Sequence, residues 1–287
     1  MGPKVLRGLL EELSRPDHPW LERATFRIVP DANPDAAARN ASWWDPIDGA
    51  DLPSYLLDRL RELPGDDLEF GFPGGPGGDD KIRPEAEGIA AFLREGGAVD
   101  LHGSLHGLGF AEGPWFLVEP AWEDRLEPYR QACWQVVHEL GLRVHDRDRQ
   151  GAKGFRRISQ GFCTRPDSGA MRAHFEALGD LATAALFRPS SMEFARSLGG
   201  DPFTFVTEVP LFLLPDGLDE VACQERIARW TLALTKARRA GTWGEESALV
   251  RAQAAAAGFA TMDPGVQERV IRAQVAAALE LVEASRR

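Results

Sequence analysis

The chain has 287 residues, of which 44% are hydrophobic and 27% charged, the balance of an ordinary globular protein. Its net charge of −11, with no dense Lys/Arg stripe, argues against nucleic acid or an anionic membrane as a partner. Cys133, Cys163 and Cys223 lie far apart without C-x-x-C spacing, so neither a disulfide framework nor a cysteine-built zinc site is expected. No apolar run reaches the roughly 18 residues of a membrane span, and no leader-like apolar core follows Met1, so a cytoplasmic location is expected.

Residues 3–14 carry a helical stripe of Val5, Leu6, Leu9, Leu10 and Leu13, with Pro3 in the first turn and Arg15-Pro16 at the end. Ala24-Thr-Phe-Arg-Ile-Val-Pro30 reads as a strand and runs into the turn formers Asp31 to Asp35. Residues 40–50 read as an irregular loop. A short helix is expected from Asp51 to about Glu62, and Gly71 to Gly78 as a loop, because it lacks the Gly-Lys-Ser/Thr of a phosphate-binding loop. Pro84 opens a further helix that Gly96-Gly97 closes.

Ala98 to Leu101 then reads as a short buried strand ending abruptly at His102, with His106 in the loop beyond it. Residues 114–118 suggest another short strand, Ala121 to about Leu140 a long helix, and 141–166 an irregular stretch. Ser190-Ser-Met-Glu193 fits a capping box. Phe203 to Pro210 is the strongest strand by propensity and carries Glu208 near its carboxyl end. Past Asp216 the chain turns to alanine-rich helices. These features predict an α/β fold, a three-layer α/β/α arrangement with a mixed, largely parallel sheet over 1–215, followed by a C-terminal helical extension over 216–287. That extension is the expected surface for any homo-oligomer.

Strand ends at Asn33/Asp35, His102 and Glu208 suggest a common crevice, since parallel strands bring their carboxyl ends to one sheet edge. A lone histidine satisfied by a neighbouring carbonyl is the bland alternative for His102, and an ion pair with an arginine is that for Glu208. His138, His145 and His174 read as solvated side chains. His106 reads the same way.

Asn33-Pro34-Asp35, Arg39, Asp67-Leu-Glu-Phe-Gly-Phe-Pro73, Arg83-Pro-Glu85, Asp100-Leu-His102 and Thr207-Glu208 together resemble, in order and spacing, the zinc carboxypeptidases of peptidase family M14. The likeness covers about residues 1–215. It implies that His102 is a metal ligand for one zinc ion, Glu208 the general base that activates the zinc-bound water, and Arg39 the cation that meets the oxyanion. Asn33 and Glu69 fall at substrate-binding positions of the pattern. The implied activity is that of a zinc-dependent hydrolase, a metallopeptidase cleaving a peptide or amide bond.

The sequence departs from the family in three places. N-P-D-G is N-P-D-A. The Asn-Arg pair that grips a peptide's terminal carboxylate is replaced by Glu69 and Phe70, so ordinary C-terminal trimming is not expected. The H-x-x-E motif that supplies two further zinc ligands is absent before Asn33, so the ligand set is incomplete, and Met1 is expected to be an internal methionine. An amidohydrolase acting on a small N-acyl amino acid and a non-catalytic member retained for binding are the alternative readings.

Overall fold

The computed structural model describes residues 2–45, 47–60, 62, 67–75, 82–218 and 220–286. Helix α1 (Gly2–Leu13) buries Val5 and Leu9, two positions of the predicted stripe. Residues 24–30, expected as a strand, join no ladder. Their β-branched and aromatic side chains favour a pleated neighbour, and none is in place beside them. Helix α2 (Pro34–Asn40) is capped by the Asn33 side chain, which accepts from Ala36 N at 3.2 Å.

The stretch 40–50 is more ordered than expected. Strands β1 (Trp44–Asp45) and β2 (Gly49–Ala50) make a small antiparallel hairpin, with Gly49 at φ 82. Helix α3 (Leu52–Asp58) follows, capped by Asp51. The predicted glycine-rich loop at 71–78 lies partly outside the described residues. Helix α4 (Pro84–Gly96) starts at a proline and stops at Gly97, where φ is 67.

Strand β3 (Leu101–Ala111) corrects the reading of a strand that ends at His102. Gly103, Gly107 and Gly109 have poor strand propensity. The long partner β7 (Phe203–Leu213), rich in Phe, Val and Thr, carries them in register from Leu101↔Phe203 to Ala111↔Leu213. Strand β4 (Trp115–Val118) follows. The expected helix from 121 is divided: a 3-10 turn over Pro120–Arg125 precedes α5 (Glu127–Glu139), with Pro128 in its first turn. The stretch 141–166 also holds β5 (Arg157–Ser159) and β6 (Phe162–Thr164), too short to leave a pattern in the sequence.

Helices α6 (Ser168–Ala177), α7 (Leu181–Ala184) and α8 (Ser191–Ser197) precede β7, and the Ser190/Glu193 capping box forms as expected. After β7 come α9 (Glu220–Ala240), α10 (Trp243–Ala256), β8 (Ala260–Thr261) and α11 (Pro264–Ser285).

The main sheet has the order β3-β7-β4-β6-β5, with β8 pairing the far end of β7. It is mixed: β3–β7 and β4–β6 are parallel, the other pairings antiparallel. The long β3–β7 ladder makes parallel pairs the majority. One face is covered by α5 and α11, whose Tyr129, Val270, Ile271 and Ala278 pack on Phe116, Phe162, Phe203 and Phe205. Fully burying side chains of this size contributes about 1.5–3 kcal/mol each. The last helix is therefore integral to the sheet's cover. A second cluster joins α3, α9 and α10 to Phe110 and Phe212 at the strand ends. Among the described residues no helix is long and apolar enough to cross a membrane.

Candidate functional site

Side chains alternate across a strand, so His102, Ser104 and His106 share the face of β3 that α5 and α11 leave uncovered. The register sets Thr204, Val206 and Glu208 of β7 opposite them on that face. His106 and Glu208 are Cα partners, and Ser104 Oγ lies 2.8 Å from His106 Nε2. The Thr207 hydroxyl holds the His106 backbone, accepting from its N–H at 2.8 Å and donating to its carbonyl at 2.9 Å. His106, read from the sequence as a loop side chain, is thus fixed in the middle of a strand beside the predicted general base.

Two further elements close over this face. Asp67 caps a 3-10 turn over Leu68–Phe70, accepting from Glu69 N at 2.8 Å. Arg165, just past β6, is 2% exposed and ranks among the largest fully buried side chains. Its Nη2 lies 2.7 Å from Glu69 Oε1, off the hydrogen-bonding axis, so the contact is an ion pair. The guanidinium also sits 5.1 Å from the centre of the Phe70 ring. Glu69 and Phe70 thus hold an internal arginine between them.

The electrostatics follow from burial among these charges. Burial raises the Glu208 carboxyl to about 7, with Glu69 adding to the rise while His106, Arg165 and Arg149 oppose it. The His102 imidazole is lowered to about 4 by burial, then by Arg165 and His106. Its Nδ1 is buried with no hydrogen-bond partner among the described residues. Burial pushes Glu69 up, but Arg165 and His106 outweigh it and leave the carboxyl below its ordinary range. Asp67 is raised, by burial and then by Glu69. Two carboxyls on one face are therefore pushed apart, Glu208 upward and Glu69 downward, as sites that divide acid and base roles require.

Searches against protein-family models, curated proteins and solved structures return no match.

Asn33, among the other predicted residues, has partners of its own, and its partner Glu62 acts electrostatically on Asp67. Asn33 serves its own helix cap and donates to Glu62 Oε1 at 2.8 Å, while Arg83 bridges Glu62, Glu85 and Asn33. Arg39 is exposed in the last turn of α2; the cations that act on Glu208 are Arg165 and Arg149. His145, expected in solvent, is a close partner of Glu112 and meets the Trp115 ring edge-on. Arg165 and His106 are the residues that sequence reasoning missed. His106 was recoverable from the period of two shared with His102, had the strand been seen to continue. Arg165 carries no signal, because the loop after a three-residue strand gives no pattern.

Proposed function

We propose that this site hydrolyses a peptide or amide bond, as the resemblance to the M14 zinc carboxypeptidases implies, with Glu208 as general base. The observation that carries the reading is the placement of Glu208 beside His106, and on the same face as His102, under a buried arginine. A carboxyl poised near neutrality can take a proton from an attacking water and return it to the leaving amine. The altered Glu69–Phe70 pair favours substrates other than free peptide C-termini, including small N-acyl amino acids.

A zinc ion has to be weighed against the donors present. His102 suits one zinc position: it is neutral near pH 7, and its buried Nδ1 lacks a partner. Among the described residues, however, no group of three His, Cys, Asp or Glu side chains is arranged to hold an ion. A catalytic zinc takes about three protein ligands, so these residues do not complete a shell, and no step is assigned to it. That observation favours the second reading, a family member that keeps the site for binding alone.

Turnover of N-acyl amino acids and short peptides, with and without added zinc, separates the two. The hydrolase reading expects activity that Glu208→Gln lowers by about 100-fold or more while bound zinc is unchanged. Activity that is the same in Glu208→Gln as in the parent chain would remove the general-base assignment. Absence of turnover on every substrate, with saturable binding of the same compounds, would establish the binding reading.

A further inference from the structure

Strand β3 is an edge strand: among the described residues only β7 pairs with it. The register tells which of its backbone groups face outward. Phe203 N donates to Asp100 O at 2.9 Å, and His102 is level with Thr204. By the alternation of a parallel ladder, the N–H and C=O groups of Asp100, His102 and Ser104 point toward β7, and those of Leu101, Gly103 and Leu105 point away.

Strand β3 lines a cavity of about 780 Å³ on that edge, and the segment Leu21–Ile28 lines it too. Leu9 of α1, Phe205 of β7, and Leu279 and Val282 of α11 also line it. Unpaired backbone donors and acceptors along β3, with apolar side chains lining the space beside them, are the surroundings of an added strand.

The size agrees. A strand residue advances about 3.3 Å, takes about 4.8 Å of sheet width and about 10 Å of layer thickness, so it fills roughly 160 Å³, and the cavity has room for about five residues. The lining runs over 21–28 on one side and over 98–103 and Leu105 on the other, long enough to flank a strand of that length.

Gly2 indicates the source. A Cβ there would stand 2.7 Å from the Leu105 carbonyl oxygen, so the first turn of α1 abuts one end of the slot. A strand parallel to β3 would finish beside Gly2 and pass directly into α1. Helix α1 would then be the crossover of a β–α–β unit whose second strand is 24–30, the segment with strand propensity and no ladder. We infer that the slot is the seat of a strand of the same polypeptide preceding Gly2, parallel to β3, with apolar side chains toward Phe205 and Leu279. It would enlarge the sheet between β3 and 24–30 and bring its carboxyl end beside Leu105, next to His106 of the candidate site.

The experiment is to translate the reading frame upstream of the Met1 codon, express the chain with that extension, and compare amide hydrogen exchange with the 287-residue chain. The inference expects exchange at Leu101, Gly103 and Leu105 to slow by at least about 100-fold, as new ladder bonds form, and Tm to rise. An in-frame stop immediately upstream, or unchanged exchange at the three amides, overturns it. If the extended chain is insoluble, the upstream decapeptide is added to the 287-residue chain. Protection of the same three amides by that peptide, and not by a scrambled one, supports the inference; absence of protection overturns it. Protection in the unextended chain that grows with protein concentration would assign the slot to a second copy, which also overturns it. None of these readouts depends on turnover, so failure here leaves the hydrolase reading to its own test.

Discussion

His106 and Glu208 stand level with each other on neighbouring parallel strands, and the charge of the imidazole opposes the burial that lifts the carboxyl. Removing that charge by His106→Gln therefore raises the Glu208 pKa above its present value of about 7. The expected readout is an upward move of the Glu208 carboxyl titration, followed by NMR on the glutamate-labelled chain. An unchanged titration would show that the two groups are not in electrostatic contact.

His102 and Glu208 should give stability slopes of opposite sign. The folded His102 pKa lies below its unfolded value, about 4 against 6.5, so the unfolded chain binds the extra proton and stability is lost as pH falls from 6.5 toward 4. The folded Glu208 pKa lies above its unfolded value, about 7 against 4.5, so stability is lost as pH rises from 4.5 toward 7. Each effect is on the order of 3 kcal/mol, and between about pH 4.5 and 6.5 they largely cancel. Urea unfolding with a chelator present should show a nearly flat profile for the parent chain. Glu208→Gln should gain stability with rising pH, and His102→Gln should lose it. Parallel slopes in the two variants would refute the assignment.

The Arg165–Glu69 pair should be costly to break from one side. Arg165→Met leaves Glu69 partly buried without its cation, and a loss of about 3–5 kcal/mol is expected, with the Glu69 carboxyl moving up. Adding Glu69→Gln to Arg165→Met should recover much of that loss. A double-mutant cycle in urea measures the coupling, and additive losses would show that the pair does not interact.

Gly103 is required by its neighbour across the ladder rather than by its own backbone. A Cβ there would lie 2.6 Å from the Phe205 ring, so Gly103→Ala should destabilise by about 1–3 kcal/mol. Gly88, inside α4, is the control, because a methyl added there would meet nothing within 4 Å. Gly88→Ala should therefore stabilise by up to about 1 kcal/mol. Equal effects at the two positions in thermal unfolding would contradict the packing at Gly103.

The parts of this fold that the sequence discloses are those governed by local chemistry. Pro84, Gly97, Asp51 and the Ser190–Glu193 box mark helix ends through their own backbone needs, and the helices begin and end there. What stays hidden depends on a partner distant in the chain. Three glycines make β3 look like a loop, and only β7 keeps it a strand through His106 to Ala111. Ala24–Pro30 shows the converse, since its propensity is that of a strand and no neighbour completes it. The site divides in the same way. Glu208 stands out as a carboxylate in an apolar run, and His102 as a histidine after one, whereas His106 and Arg165 acquire their places only through the register and the closing loop.

The packing of α11 bears on how the protein is made. At roughly 5–20 residues per second, a ribosome finishes β3 roughly 8–30 s before it begins the helix that covers the same face. During that interval α5 is the only one of the two covering helices in place over the phenylalanines of β4 and β6, and then of β7. The nascent chain is thus a natural client for a chaperone that shields apolar surface, and stop codons placed before Pro264 should yield aggregates in the cell rather than a smaller folded protein.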